Sequence, residues 1–298
     1  MTDMTEPIEA FKAELLRQDK SLATVVNYCN DVALFARWVN DTYGGFDCGK
    51  VVQRDIVEYR SHLLTVQNAS ASTVNRRLAS LNSFFRWFAS TGRNKKKANP
   101  CDRVKTITTI DPAPRALDQK SLRRLLREVH VHGSIRDVAI LEVLCGTAIR
   151  VGELVSLSVS DAELSDRKGL LHVRHGKGRS ARTIPLNVDV RKALAAWLTV
   201  RPATDSAFLF TGQRGERMTP SGIWRVVKKF GRLGNLPELR VHDLRHTVLT
   251  RLVREFGTDM ATVMKISGHR NLKTLMRYCE PTAEDLSAAV ERLAFTGE

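Results

Sequence analysis

The sequence predicts a mainly α-helical protein of two domains, the second of which contains a small antiparallel sheet. Apolar residues recur at intervals of three and four in several segments, which is the spacing of one helix face. A polar stretch with three prolines, 99–116, separates a first domain, 1–98, from a second, 117–298. Two strand-like runs around a glycine-flanked turn interrupt the helical pattern at 170–186.

The first domain is predicted to contain four helices. Ile8 begins the apolar face of the first helix, and Ser21 can cap a second that ends at Gly44. Apolar residues with helical spacing continue over 53–66 and 73–89, with a polar turn between them. These four segments bring enough apolar side chains to one side to form a core of their own.

The end of the first domain is strongly basic, because residues 61–100 contain no Asp or Glu. The candidate contacts to an anionic partner there are Arg76, Arg77, Arg86, Lys95, Lys96 and Lys97. A formal net charge of +15 over the whole chain also favours an acidic polymer as partner. A solvated surface is the plainer interpretation of a lysine run. Charge alone does not separate nucleic acid from an anionic membrane, so the motifs of the second domain must decide.

Two arginines of the second domain are predicted to bind one anion. Arg150 lies in an apolar run, where a guanidinium needs a partner, and Glu153 three residues later can supply it. His242 and Arg245 are three residues apart and therefore share a helix face. A planar, permanently charged guanidinium suits the two non-bridging oxygens of a phosphodiester. The pattern predicts a phosphate site.

Two further groups fit chemistry on a phosphate. Lys177 stands between glycines in the turn of the predicted hairpin, which would carry its ammonium to the tip. Tyr278 is the only tyrosine in the C-terminal two-thirds of the chain, since the other three lie near the N-terminus. If a phenol reacts in this domain, it is that of Tyr278.

An ordered set of motifs resembles the signature of the tyrosine recombinases, also called the phage integrase family. The set consists of Arg150, Lys177, His242-x-x-Arg245, Gly268-His269 and Tyr278. The resemblance covers essentially the whole chain, whose size is similar to that of the simple bacterial Xer-type members. Two departures are small: Thr147-Ala148-Ile149-Arg150 replaces the commoner T-G-L-R, and Cys279 follows the tyrosine.

The resemblance implies a reaction in which Tyr278 attacks a DNA phosphodiester and forms a 3′-phosphotyrosyl link. The two arginines and His269 would bind the phosphate oxygens, and Lys177 would protonate the leaving 5′ oxygen. His242 is the candidate acceptor of the phenol proton. The free 5′ hydroxyl of a partner strand then reverses the step, so the resemblance implies neither a cofactor nor a metal nor ATP.

The resemblance also implies the partners. The first domain would be a SAM-like core-binding domain that clamps the duplex through phosphate contacts, and the second a mixed α/β, mostly helical catalytic domain. A homotetramer would exchange strands at a DNA recombination site through a Holliday junction, with the amphipathic segment 283–295 packing on a neighbouring protomer. Integration, excision and dimer resolution stay open, as does a second recombinase in the ring.

The sequence predicts a cytoplasmic protein that does not enter a membrane. Its first residues lack the apolar core of a secretory signal, and no uninterrupted apolar run reaches membrane-spanning length. Five scattered cysteines without a C-x-x-C pair indicate a reducing compartment.

Three other functions fit parts of the pattern. His242 and His246 have the i, i+4 spacing of a zinc pair, although Arg245 would place a cation beside that metal. A DNA-bound regulator without catalysis is a second alternative, against which the intact set of six catalytic candidates argues. A strand-relaxing topoisomerase with the same phosphotyrosine chemistry is the third, and the short first domain favours recombination over it.

Overall fold

The computed structural model describes residues 5–92, 98–108, 115–174, 181–269, 271–276, 278–279, 286–287 and 290–291. Two compact units make up the chain, Met1–Asp111 and Pro112–Glu298. The division falls inside the stretch 99–116 that the sequence predicts to be a linker.

The first unit contains the four helices that the apolar spacing predicts. They are α1 (Thr5–Arg17), α2 (Leu22–Tyr43), α3 (Gln53–Thr65) and α4 (Ala71–Ser90). The side chains of Ser21 and Ser70 accept hydrogen bonds from backbone N–H groups in the first turns of α2 and α4, as N-caps do. Gly44 ends α2 with a φ of 77°, a left-handed conformation that glycine adopts without strain.

A buried carboxylate joins two of these helices. Asp31 on α2 accepts hydrogen bonds from Arg76 and from the Ser80 hydroxyl, both on α4. Arg77 Nε lies 3.9 Å from the second Asp31 oxygen, and its side chain is only 16% exposed. Two arginines therefore compensate one buried charge, which would otherwise be costly in the helical core.

Residues 98–108 pack on the helices of the first unit. The Asn75 side chain donates to the carbonyl of Ile107 at 2.8 Å and accepts from the N–H of the same residue at 2.8 Å. Arg60 donates to the carbonyl of Lys105 at 2.8 Å, and Cys101 is buried in the core of the helices. The first part of the predicted linker is thus held by hydrogen bonds between its backbone and helix side chains, which the sequence pattern does not reveal.

The second unit is mostly helical with a three-stranded antiparallel sheet, which confirms the predicted fold class. Its strands are β1 (Ala162–Leu164), β2 (Gly169–Val173) and β3 (Arg182–Pro185). Leu171 of β2 pairs with Ala162 on one side and with Ile184 on the other. Its first five helices are α5 (Gln119–His132), α6 (Ile135–Thr147), α7 (Val151–Leu154), α8 (Val188–Val200) and α9 (Pro220–Leu233).

The last fifth of the chain packs around a small apolar cluster. Its helices are α10 (Val241–Thr250), followed by a π-helical turn (Arg251–Glu255), α11 (Met260–Ser267) and α12 (Lys273–Met276). Tyr278 lies in a turn after α12 and packs with Ala148, Leu249, Val263 and Leu275. Across the described parts of the chain, every helix is too short or too polar to span a bilayer.

Candidate active site

Arg150 and Glu153 form the pair that their spacing predicts. Arg150 occupies the N-cap position of α7, and Glu153 lies in the first turn of that helix. The Arg150 backbone N–H donates to Glu153 Oε2 at 2.9 Å, and Arg150 Nη1 donates to Oε1 at 3.1 Å. The buried carboxylate therefore fixes both the backbone and the guanidinium of Arg150, which keeps donors that these bonds do not use.

Arg245 is the most deeply buried cation of the site. Its side chain projects from α10, the residue is 2% exposed, and it donates to the carbonyls of Ala148 and of Ser267, the latter at 2.8 Å. Burial, and then the charge of Arg150, lower the pKa of Arg245 to about 10, so the guanidinium stays charged at neutral pH. Both carbonyls orient its planar fork.

The carbonyl of Ala148 reaches Arg245 because the backbone turns sharply there. Ala148 ends α6 with φ 52° and ψ 21°, a left-handed conformation in which glycine is the usual residue. The alanine at this position is the departure from the T-G-L-R pattern noted above, and it is fully buried. The turn survives without glycine at a cost of about 1–2 kcal/mol.

His269 lies beside the two arginines. Arg245 Nη2 is 3.3 Å from His269 Nε2, and the Ser267 hydroxyl is 2.7 Å from His269 Nδ1. Burial, followed by the charges of Arg245 and Arg150, lowers the pKa of His269 to about 4, so the ring is neutral at pH 7. Because a guanidinium only donates, Nε2 accepts from Arg245 here, and Nδ1 carries the ring proton and donates it to the Ser267 hydroxyl.

The carbonyl of Ser267 is the point on which these groups meet. It accepts from Arg245 at 2.8 Å and, at the long distance of 3.4 Å, from Arg150. The hydroxyl of the same residue contacts His269. Three side chains that the sequence assigns to one phosphate are thus gathered at one turn, Ser267 to His269.

Tyr278 contacts an imidazole that the sequence analysis did not assign to it. Its side chain is 4% exposed, and its hydroxyl lies 2.5 Å from His246 Nδ1. His242, the predicted proton acceptor, is exposed, and its ring centroid lies 4.4 Å from that of His246. His246 entered the sequence analysis only as half of a zinc pair. Among the described residues, no three His, Cys, Asp or Glu side chains could jointly hold a metal ion.

Arg182 is a second unpredicted member of the site. It donates to Glu153 Oε2 at 2.9 Å and to Oε1 at 3.2 Å, and its Nε donates to the carbonyl of Ile266 at 2.8 Å. Its position at the start of β3 carries no signal of this role. The sequence shows it only as one of several cations near the predicted hairpin.

The remaining predicted residues have different outcomes. Lys177, Lys95, Lys96, Lys97 and most of the segment 283–295 lie outside the described residues. Arg76 and Arg77 contact Asp31 inside the first unit, a structural role that the sequence analysis missed. Arg86 is exposed on α4, so its assignment to DNA stays a prediction.

Two titratable groups of the site, Glu153 and His269, lead us to expect that the folded protein loses stability in acid. Burial raises the pKa of the Glu153 carboxyl, but hydrogen bonds from Arg182 and Arg150 outweigh burial and lower it from 4.5 to about 2. The pKa of His269 falls from 6.5 to about 4. Below pH 6.5 the unfolded state takes up the histidine proton before the folded state does, and below pH 4.5 the same holds for the carboxyl. Stability is therefore full above pH 6.5 and falls in both windows.

Urea unfolding between pH 8 and pH 2 measures the loss in both windows. A His269→Gln variant cannot take up that proton, so we expect its stability to depend less on pH between 6.5 and 4. An unchanged slope in the variant would show that His269 does not titrate as its burial implies.

Comparison with known proteins places both units. A model described as "Phage integrase family" matches residues 115–285, and one described as "Phage integrase, N-terminal SAM-like domain" matches residues 8–92. Tyrosine recombinase XerA of Pyrococcus furiosus is 29% identical over 97% of this chain and 94% of its own length. Tyrosine recombinase XerC of Roseiflexus castenholzii is 30% identical over 92% of this chain and 88% of its own.

Solved structures share the fold. XerH recombinase bound to its difH substrate in a pre-cleavage complex has a TM-score of 0.72 at 18% identity, covering 99% of this chain and 86% of that one. The Tn1549 transposon integrase in complex with circular intermediate DNA has a TM-score of 0.74 at 21% identity, covering 96% of this chain and 99% of that one.

Proposed function

Since this chain belongs to the phage integrase family and is a site-specific tyrosine recombinase, we propose that it cuts and rejoins duplex DNA with Tyr278 as nucleophile. One observation carries the proposal. Arg150, Arg245 and His269 meet at the Ser267 turn, and α10, which bears Arg245, also bears the imidazole in contact with the Tyr278 hydroxyl.

The converging donors suit a phosphodiester. Arg150 and Arg245 would bind its non-bridging oxygens. With the Arg245 donor turned to the phosphate, neutral His269 would take its other tautomer and donate Nε2–H to the same group. Donors that are already oriented before the reaction stabilise the charge that develops in the transition state, with about 2.7–4 kcal/mol lost for each one removed. Attack of the phenol oxygen on phosphorus breaks the bond to the 5′ oxygen and leaves a 3′-phosphotyrosyl link.

Two protons must move during this step. A phenol has an unperturbed pKa of about 10, so Tyr278 must lose its proton as it attacks. We assign two tasks to two histidines. Before DNA is bound, His246 orients the phenol by a hydrogen bond. In the DNA complex, the exposed neighbour His242 accepts the phenol proton. Lys177 remains the proposed acid for the 5′ oxygen.

The proposed partners are inferred from what the related proteins bind in their solved structures. The XerH and Tn1549 proteins are bound to DNA in the matched structures, and duplex DNA at a recombination site is the partner that we propose here. The SAM-like unit would clamp the duplex from one side. A homotetramer in the cytoplasm would exchange strands through a Holliday junction, with segment 283–295 reaching a neighbouring protomer.

A capture experiment on randomised DNA tests the proposal whatever sequence the protein recognises. Duplexes with a randomised core and a nick in one strand are incubated with the protein in EDTA and without ATP, and DNA that stays attached after denaturation is sequenced. We expect enrichment of one sequence and a DNA-linked peptide that contains Tyr278. Binding without any adduct would favour a regulator, and sequence-independent relaxation of supercoiled DNA would favour a topoisomerase.

Arg86 is expected to contact a DNA phosphate. Arg86→Gln should weaken binding several-fold at moderate salt and reduce the slope of log K against log salt by about 1, because one phosphate contact is lost. Binding isotherms at four salt concentrations measure the slope.

Arg77→Gln is the matched control, because Arg77 lies on the same helix but contacts Asp31. This change should lower the thermal stability of the first unit and leave the slope close to that of the unchanged chain. If both variants reduce the slope equally, the contact of Arg77 with Asp31 does not keep it from DNA, and the structural distinction between the two arginines is wrong.

A further inference from the structure

Arg182 is a buried cation to which the reaction above assigns no task. It is the first residue of β3, and its side chain is 8% exposed. A guanidinium in such a position needs partners for most of its donors. Its partners belong to two separate segments of the site.

The first segment is the short helix α7. Both terminal nitrogens of Arg182 donate to the Glu153 carboxylate, one to each oxygen. The same two oxygens accept from the guanidinium and the backbone of Arg150. Glu153 is thus held from two sides, and its position sets the position of Arg150.

The second segment is the turn that ends α11. Arg182 Nε donates to the carbonyl of Ile266, and the guanidinium packs directly against Gly268, where a Cβ would lie 2.8 Å from Arg182 Nη1. This turn presents the Ser267 carbonyl to the two arginines and carries His269. One planar side chain therefore contacts both segments at once.

We propose that Arg182 is a positioning residue, which fixes the Arg150 segment and the His269 segment relative to each other so that both point at one phosphate. The proposal rests on the phosphate-binding role given above to Arg150 and His269. Only a guanidinium can donate in parallel to a carboxylate and, through Nε, to a carbonyl at a fixed angle. A lysine keeps the charge but loses this geometry.

The expected effect falls on the chemical step. A displacement of about 1 Å between reacting groups costs on the order of 100-fold in rate. We expect Arg182→Met to lower the single-turnover rate of adduct formation roughly 100-fold, and Arg182→Lys roughly 10-fold, because lysine restores the charge alone. DNA affinity should change less than about threefold, since the Arg182 side chain is buried and its donors are taken by Glu153 and the Ile266 carbonyl.

Arg174 provides a matched control. It directly precedes the segment 175–180 that Arg182 follows, and its Nε lies 2.5 Å from the buried carboxylate of Asp161. Arg174→Met also breaks an arginine–carboxylate pair near the same hairpin, but it leaves Glu153 and the Ser267 turn untouched. Its rate should stay within about threefold of the unchanged chain.

The experiment measures adduct formation on the captured DNA sequence, DNA affinity and thermal unfolding for the three variants. Unchanged cleavage in Arg182→Met overturns the proposal, as does an equal loss in Arg174→Met. If Arg182→Met does not fold, Arg182→Lys decides, because unchanged cleavage there shows that the fork is not needed.

A readout independent of activity separates this proposal from the proposed function. Arg182→Lys retains the charge, so a shifted ring signal of His269 in its NMR spectrum reports movement of the turn. If the unchanged chain forms no adduct but Arg182→Lys still shifts the His269 signal, the proposed reaction is refuted and the positioning role is supported. Unchanged His269 signals in both Arg182 variants overturn the positioning role.

Discussion

Replacement of Tyr278 by phenylalanine is expected to abolish the covalent adduct with DNA and to leave DNA affinity unchanged. The change removes only the oxygen that would attack phosphorus, so we expect a rate loss of more than about 10⁴-fold, comparable with removal of a nucleophile in other covalent enzymes. The ring itself packs with Leu249, Val263 and Leu275 and should stay in place. Loss of the contact with His246 costs on the order of 1 kcal/mol of stability.

Denaturing gels measure the adduct, and mobility shifts on the same DNA measure the affinity. Tyr59→Phe is the control, because Tyr59 is also a buried tyrosine but lies in the first unit, where its hydroxyl is 3.4 Å from Arg77. It should form the normal amount of adduct. An adduct that persists in Tyr278→Phe and maps to another residue would show that the nucleophile has been misassigned.

Replacement of Arg245 by methionine is expected to reduce cleavage and stability together. Cleavage should fall about 10³-fold, since removal of one oriented donor to a developing oxyanion costs about that much. The carbonyl of Ala148 would lose the Arg245 donor, and that of Ser267 would keep only the long contact from Arg150, at about 1–3 kcal/mol for each group left unsatisfied that water cannot reach. Arg245→Lys keeps the charge and should lose less of both.

Single-turnover cleavage and urea unfolding separate the two effects. Arg201→Met is the matched control, because Arg201 also donates to backbone carbonyls, those of Pro202, Ser206 and Phe208, but in a loop distant in sequence from every catalytic candidate. It should lose stability and retain cleavage. If Arg245→Met cleaves as well as Arg201→Met at equal stability, Arg245 serves the fold alone.

The sequence predicts those parts of the site that depend on local spacing. Arg150 and Glu153 are three residues apart at a helix start, so their pairing follows from helix geometry and the structure confirms it. The contact between His246 and Tyr278 joins positions 32 apart, and periodicity carries no information about such contacts. His246 also directly follows Arg245, and adjacent helical positions face different directions.

The same limit explains what the sequence analysis missed in the first unit. Four helices followed from apolar spacing, but the basic run 61–100 appears unpaired in the sequence because it lacks acidic residues. Asp31, which pairs with Arg76 and Arg77 of this run, is 45 residues from Arg76. The pairing therefore becomes visible only when α2 and α4 pack. The packing of residues 98–108 through Asn75 likewise depends on tertiary contacts that the sequence pattern does not show.

The charges around Glu153 bear on the direction of the proposed reaction. Counting only described residues, and therefore without Lys177, Arg150, Arg182 and Arg245 bring three positive charges and Glu153 one negative charge. With His269 neutral, this phosphate-binding cluster carries a net charge of +2. A DNA phosphodiester and a phosphotyrosyl diester each carry one negative charge, whereas the pentacoordinate state between them carries two. The site therefore matches the state between reactant and product better than either, and it favours neither end. Cutting and rejoining should be nearly isoenergetic, so that the pairing of the strands, and not the protein, sets the outcome.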